Sequence, residues 1–157
     1  MTDIEMAKEL MEREQLSLVI ANRGRVVFSS RGRGISPLYT AVKNFKREME
    51  NSSIADRVTG KASAMLCDYA KASHLNAKLI SQAAVNFLNN TDILYEYDEI
   101  TPYIINRENT GPCPIEALSL RTESMAELLD GIADFLERAE KPEPYGNSSI
   151  GESENER

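Results

Sequence analysis

"SIADRVTGKASAMLCDYA", residues 53–70, joins a strand pattern to a helix pattern across a single glycine. Residues 53–59 predict a β-strand, which ends at Gly60. Residues 60–70 are apolar on most sides, which predicts a buried helix. A strand that leads directly into a helix is the repeating unit of α/β folds, and this stretch therefore decides the fold class.

The same alternation continues towards the C-terminus. The sequence predicts a short strand at 76–80, a helix that begins after the N-cap Ser81, and a strand at 92–97. An apolar stripe over 125–136 then predicts the last helix. Ser124 and Glu127 form a candidate capping box at its start.

Towards the N-terminus the pattern begins with an amphipathic helix and a hairpin. Thr2 and Glu5 have the spacing of a capping box at the start of the helix. The hairpin joins residues 16–21 to residues 25–30, and Gly24 suits the turn because it tolerates a positive φ. The next helix begins near Pro37, which is tolerated in a first helical turn.

These elements predict a three-layer α/β/α sandwich around a mixed five-stranded sheet. Alternating strands and helices place parallel strands side by side and helices on both faces. The hairpin requires one strand to run against the others. We expect a single domain over 1–140, with its N-terminal helix at 1–14, and a disordered acidic tail over 141–157, which has almost nothing apolar to bury.

The overall composition restricts the partners and the compartment. The chain has 157 residues, a hydrophobic content of 41% and a net charge of −7. The acidic balance disfavours nucleic acid as a partner, and no apolar run approaches the ~18 residues of a membrane span. Two cysteines and a charged start without a signal-peptide pattern predict a cytoplasmic protein that does not bind membranes.

Two glycine-rich loops are expected where this kind of sheet binds ligands. "SSRGRGIS" (29–36) and "RVTGKAS" (57–63) each link a strand to a helix, and ligands bind beyond the carboxyl ends of parallel strands. Free N–H groups at a helix start bind anions. The second loop is not a P-loop, because Ala55 and Ala62 replace the first glycine and the hydroxyl residue of that motif. The glycines could also serve only as turn residues. The candidate ligand-binding residues are Arg31, Gly32, Arg33, Gly34, Asp56, Gly60 and Lys61.

The segment "TPYIINRENTGPCPIE" (101–116) holds the remaining candidates. Asn106 and Arg107 have side chains that suit planar polar ligands. Cys113 lies between two prolines, just before a short helical stretch, where a helix N-terminus could favour an exposed thiolate. Glu116 could act as a base or cap the turn. A rigid structural loop is the alternative for this segment.

Four segments of the sequence resemble the small prokaryotic family DUF1893, a domain of unknown function. They are 30–38, 55–64, 77–81 and 101–116, and the likeness extends over about 16–138. The family is grouped with the cytidine-deaminase-like fold. The resemblance therefore implies that fold and the strand order 2-1-3-4-5. It implies no activity.

The resemblance raises the question of zinc, which deaminases bind through a His or Cys and the two cysteines of a P-C-x-x-C motif, with a catalytic Glu two residues after the first ligand. The corresponding helix starts, at 32–37 and 59–64, contain no such ligand. After Cys113, Glu116 stands where the second cysteine would be. His74 lacks a glutamate two residues on, and we expect it in a surface turn between a helix and a strand. We therefore predict no metal and no cofactor.

Two main hypotheses about function remain, and a third is kept open. The first is a binding module that holds a small anionic or nucleotide-like molecule. The second is an enzyme in which Cys113 is a nucleophile or redox thiol, while Lys61, Asp56 and Arg33 orient the substrate. The third is a structural or regulatory domain, and a homodimer is left open. Cys67, inside the buried helix, is expected to be core packing.

Overall fold

The computed structural model describes residues 1–105, 113–122 and 124–140. No helix within these ranges is long and apolar enough to cross a membrane. The predicted tail at 141–157 lies outside them. The strands are β1 (Leu18–Asn22), β2 (Arg25–Ser30), β3 (Ser53–Thr59), β4 (His74–Ser81) and β5 (Leu94–Thr101). The helices are α1 (Asp3–Arg13), α2 (Ser36–Met49), α3 (Lys61–Tyr69), α4 (Gln82–Leu88), α5 (Pro114–Leu120) and α6 (Met125–Glu140).

The five strands form one mixed sheet in the order β2-β1-β3-β4-β5. Strand β1 is antiparallel to both of its neighbours, whereas β3, β4 and β5 are parallel. The predicted mixed sheet, its order and its single antiparallel strand are therefore confirmed. One row of the sheet places Asp56 on β3 between Leu18 on β1 and Ala77 on β4.

Helices cover both faces of the sheet, but unequally. On one face α1 packs Ala7 and Met11 against Val19, Ala21 and Ala55. On the other face the remaining helices build the larger core against alternate residues of the same strands. Because successive strand residues point to opposite faces, a single apolar strand can serve both layers. The largest buried side chains of the main core include Ile20, Met49, Ile54, Leu66, Leu75 and Leu128.

Several local signals in the sequence are confirmed. Thr2 and Glu5 make both hydrogen bonds of the capping box. The Ser81 hydroxyl accepts a hydrogen bond of 3.1 Å from the backbone N–H of Ala84, and Gly24 has a φ of +77°. At α6 only half of the predicted box is formed, since the Ser124 hydroxyl accepts from the backbone N–H of Glu127. These signals depend on residues within three positions of each other.

The predicted boundaries of β4 and β5 were wrong, and β1 begins at Leu18 rather than at residue 16. His74 does not lie in a turn but begins β4, where it pairs with Ser53 on one side and Leu94 on the other. Strand β5 runs from Leu94 to Thr101 rather than over 92–97. Both β4 and β5 are longer than predicted. Polar residues have a low intrinsic preference for strands, and hydrogen bonding to the neighbouring strands outweighs it.

Candidate functional site

The loops predicted to bind a ligand lie at one edge of the sheet. Strands β2 and β3 are both antiparallel to β1, so they point the same way as β4 and β5. Their carboxyl ends meet at what we call the carboxyl edge. The loop at 31–35 leaves β2 there, and Gly60 leaves β3. This is the edge at which open α/β sheets bind ligands.

Glu116 on α5 places its carboxylate at the start of α3. Its Oε1 accepts a hydrogen bond of 2.8 Å from the backbone N–H of Lys61, and the residue is only 5% exposed. The N-cap residue of α3 is Gly60, which has no side chain that could cap the helix. Glu116 therefore supplies the side-chain cap that a local Asp or Ser gives to other helices, and it adds a negative charge as Asp does.

Gly60 is needed at this point for space and not for its backbone freedom. Its φ of −95° and ψ of −176° are extended values that any residue adopts. A Cβ added to Gly60 would overlap Oε1 of Glu116, and it would also lie 3.5 Å from Cγ1 of Ile104. The absence of a side chain thus lets a carboxylate oxygen reach the backbone at the start of α3.

Helix α5 is fixed on several sides. The backbone N–H of Cys113 donates a hydrogen bond of 2.8 Å to the carbonyl oxygen of Ile104. Against α6, a Cβ added to Gly131 would lie 2.5 Å from Cδ2 of Leu118. Helix α5 therefore sits between the start of α3 and the middle of α6, and a glycine on each side allows the close approach.

Asp56 is a second acidic residue near the carboxyl edge, and it lies buried on β3. The Thr59 hydroxyl donates a hydrogen bond of 2.9 Å to its Oδ2. Burial raises the pKa of Asp56 to about 7, against the opposing effect of hydrogen bonds from Thr59 and from the backbone of Val58 and Arg57. Asp56 can therefore gain or lose a proton near neutral pH, which is a property of many functional carboxyls.

The Arg-Gly-Arg-Gly loop does not converge on Glu116. The guanidinium of Arg31 donates a hydrogen bond of 3.0 Å to the carbonyl oxygen of Glu14, at the end of α1 on the other face. Both backbone groups of Gly32 are hydrogen-bonded: its N–H donates to Ser30 Oγ, and its carbonyl oxygen accepts from Ser17 Oγ. These contacts give Arg31 and Gly32 a structural role.

The other two residues of that loop face outward. Gly34 has a φ of +70°, so the loop needs a glycine there. Arg33 is exposed. Ser30, where β2 ends, lies two strands from Asp56 in the same row of the sheet, which is roughly 10 Å. Arg33 thus remains a candidate for contact with a ligand at the carboxyl edge.

The two cysteines lie in different surroundings. Cys67 in α3 is fully buried, and burial, with Asp56 and Asp68 nearby, raises the pKa of its thiol. Its predicted place in the core is confirmed. Cys113 is half-buried at the N-cap of α5. Its hydrogen bond to Ile104, which borders Gly60, brings Cys113 to the neighbourhood of the carboxyl edge.

Some predicted features lie outside the described residues, among them Asn106 and Arg107. In the part of the chain that the structure describes, no group of three or more His, Cys, Asp or Glu could hold a metal ion. At the start of α3, the backbone N–H of Lys61 is a group that can hold an anion.

The sequence did not reveal that Glu116 caps α3, because 55 residues separate Glu116 from Lys61. An acidic residue in the first turn of α5 indicates a favourable interaction with its own helix and nothing further. The close contact at Gly131 had a visible signal, since an isolated glycine inside a helical pattern often marks a packing contact. Thr59, the partner of Asp56, had no such signal.

Comparison with known proteins identifies a family and a similar solved structure. The family profile described as TM1506, domain of unknown function (DUF1893), matches residues 6–136. The crystal structure of a DUF1893 family protein (TM1506) from Thermotoga maritima is 28% identical in sequence, with a TM-score of 0.77. The likeness covers 85% of this chain and 89% of that chain. No curated protein matches the sequence.

Proposed function

The chain belongs to the TM1506 family, a domain of unknown function (DUF1893), and we propose that it is a ligand-binding domain with a cytidine-deaminase-like fold. Its ligand is a small anionic or nucleotide-like molecule, bound at the carboxyl edge. The observation that carries this proposal is the hydrogen bond of 2.8 Å between the Lys61 N–H and the Glu116 carboxylate. It supports an anion site at the start of α3 that the chain itself fills.

The charge and shape of this position favour an anion. The start of α3 carries a partial positive charge from the helix dipole. Lys61 adds a cation there, which is unfavourable against the dipole unless an anion lies beside it. Gly60 leaves room for an oxygen atom to approach the backbone. A phosphate or carboxylate group of a ligand would make the same contacts as Glu116.

A ligand at this position must displace the Glu116 carboxylate. Only the molecules in which Glu116 has left the Lys61 N–H can bind the ligand. The apparent affinity is therefore the intrinsic affinity multiplied by the fraction of such molecules. Asp56 adjoins the same edge, and with a pKa of about 7 it is partly protonated at neutral pH. A protonated carboxyl does not repel an anion and can donate a hydrogen bond to it.

A thermal-shift series tests the proposal. Wild type, Glu116→Gln and Lys61→Ala are each melted with inorganic phosphate, pyrophosphate and nucleoside monophosphates, against chloride at equal ionic strength. We expect at least one anion to raise the melting temperature of wild type, and to raise that of Glu116→Gln further. Lys61→Ala should keep the melting temperature but lose the response. Lys43→Ala, an exposed lysine on α2, is the matched control and should respond like wild type.

Two results of that series would contradict the proposal. One is the same response to every anion in Lys61→Ala and wild type, which would place binding elsewhere. The other is no response in Glu116→Gln, where the competing carboxylate has lost its charge. A large loss of stability in Lys61→Ala would show that its side chain is structural, since the hydrogen bond to Glu116 uses only the backbone of Lys61.

A cysteine-dependent enzyme is the second candidate function. The observation that favours it is the position of Cys113, which is hydrogen-bonded to Ile104 beside Gly60 and so adjoins the proposed anion site. In that function the Cys113 sulfur would act as nucleophile or redox thiol on a molecule bound at Lys61. Glu116 would first have to leave the Lys61 N–H to act as a base. Substrate-dependent protection of Cys113 from alkylation tests this candidate.

A further inference from the structure

Strand β5 is an edge strand whose outer side is open within the described residues. It pairs with β4 over its full length, from Leu94 to Thr101, without a break in register. At eight residues it is longer than the common strand of about 5–6. Neither a proline nor a bulge interrupts it. Its outer side therefore offers a straight row of backbone N–H and C=O groups to a further strand.

The exposed apolar side chains of the protein are concentrated along this edge. The described residues contain nine large hydrophobic residues that are exposed, and five of them lie on β5 or just after it. These five are Leu94, Tyr97, Ile100, Tyr103 and Ile105. Successive strand residues point to opposite faces, so Leu94 and Ile100 lie on one face of β5 and Tyr97 lies on the other. Exposed apolar side chains therefore flank the edge on both faces, which suits contact with a further strand.

The charged side chains of β5 itself are all acidic. Glu96, Asp98 and Glu99 lie on β5, and there is no Lys or Arg between Lys78 and Arg107. Lys8 lies 3.7 Å from Glu96, and Lys78 lies 3.7 Å from Asp98. These pairs are exposed and are worth little in water. The edge thus suits a molecule that brings basic side chains together with apolar ones.

We propose that β5 binds an extended segment of a partner protein in which basic and apolar side chains alternate, and that this segment becomes the sixth strand of the sheet. Backbone hydrogen bonds would provide the pairing, and side chains at alternate positions would provide the specificity. The carboxylates of β5 would select the basic segment.

Two other occupants fit the charges less well. In a two-fold antiparallel pair of β5 strands centred on Tyr97, Glu96 of one copy would lie opposite Asp98 of the other, and a pair centred on Asp98 would oppose that residue to itself. Like charges directly opposite are destabilising. The chain's own C-terminal residues 141–157 contain four glutamates against one lysine and one arginine, so they repel the edge.

The test uses three synthetic eight-residue peptides and the full chain. The first peptide alternates lysine with valine, the second alternates glutamate with valine, and the third is the lysine peptide with one central valine replaced by proline. Binding is followed by hydrogen exchange of the backbone amides. We expect the lysine peptide to slow the exchange of the outward β5 amides roughly tenfold, without effect on β2, the other edge strand. The glutamate and proline peptides should give no protection.

Matched variants locate the site. Ile100→Lys, on β5, should weaken binding of the lysine peptide roughly tenfold. Val26→Lys, on β2, should bind like wild type, and the two replaced side chains are equally exposed, at 43% and 45%. Glu99→Lys should also weaken binding. This second β5 variant keeps the test valid if Ile100→Lys fails to fold.

Three results would overturn the proposal. Equal binding of the proline peptide would mean charge attraction without strand pairing. Protection of β5 that rises with protein concentration in the absence of peptide would mean that a second copy covers the edge. No protection by any of the three peptides would mean that the carboxylates keep the edge free of partners.

Discussion

Oε1 of Glu116 on α5 accepts a hydrogen bond of 2.8 Å from the backbone N–H of Lys61, the first residue of α3. This contact joins two helices that are far apart in the sequence and does so at the carboxyl edge of the sheet. The glycine and lysine at 60–61 predicted a ligand at this position. In the structure the carboxylate of Glu116 occupies it. The stability of α3 and the access of ligands to it are therefore expected to depend on the same residue.

The first prediction concerns the charge of Glu116. Glu116→Gln keeps an oxygen acceptor but removes the negative charge from the start of α3, so we expect a loss of about 1 kcal/mol in the free energy of unfolding. Urea denaturation measures it. Glu127→Gln is the matched control, because Glu127 is exposed in the first turn of α6 and should change stability by less than about 0.5 kcal/mol. Equal losses in the two variants would contradict the capping role of Glu116.

A second prediction concerns the space at Gly60. Gly60→Ala should destabilise the protein by about 1–3 kcal/mol, because its Cβ overlaps the Glu116 carboxylate and forces it off the Lys61 N–H. In a Glu116→Ala background the same change should cost much less, since the overlapping atom is gone. A double-mutant cycle measures the coupling. Additive effects would show that Gly60 is required for another reason.

Local chemistry explains why much of the fold could be predicted from the sequence. The capping box at Thr2, the N-cap at Ser81 and the limits of β3 each depend on neighbours in the chain, and the structure confirms them. The end of β5 was predicted too early because Asp98 and Glu99 have low strand preference. Pairing with β4 holds these residues in the strand.

The candidate site was only partly predictable, for a different reason. The sequence indicated that glycine and lysine at 60–61 begin a helix at the edge where ligands bind. It could not indicate which anion lies there, because Glu116 reaches the position only through the packing of α5 on α3. The contact of Arg31 with the end of α1 is hidden for the same reason. Contacts between distant segments depend on the finished fold.

A third prediction follows from the buried carboxyl of Asp56. Its pKa is about 7 in the folded protein and 3.8 in the unfolded chain. Between these values the folded state holds a proton that the unfolded state has lost. Stability is therefore highest below pH 4 as far as this group is concerned, and it falls as the pH rises through 7. The fall should be on the order of 4 kcal/mol in total.

Unfolding by urea between pH 5 and pH 8 measures the part of this fall that lies above pH 5, which is about 3 kcal/mol. In that range Glu5 and Glu12, whose pKa values are lowered by hydrogen bonds from Thr2 and Lys78, remain ionised and do not contribute. Asp56→Asn should remove most of the fall, while Asp68→Asn, an exposed position on α3, should keep it. Parallel profiles for wild type and Asp56→Asn would show that Asp56 is ionised throughout.

The fourth prediction concerns the thiols. Iodoacetamide should modify Cys113 and leave Cys67 unmodified in the folded protein, because Cys67 is fully buried. Mass spectrometry of the digested protein assigns the label. The pH dependence of the rate separates the two candidate functions, since a midpoint well below the ~8.5 of a free thiol favours the enzyme. Faster labelling of Cys67 would mean that α3 opens more readily than the structure indicates.

The most direct measurement of the anion site follows the backbone amide of Lys61 by NMR during a titration with inorganic phosphate. In Glu116→Ala the position at the start of α3 is vacated, so we expect the Lys61 amide signal to shift to saturation. In wild type, where Glu116 competes, the same shift should require more phosphate. The amide of Lys71, beyond the other end of α3, is the internal control. A Lys61 signal in Glu116→Ala that moves no more than the Lys71 signal would contradict the proposed site.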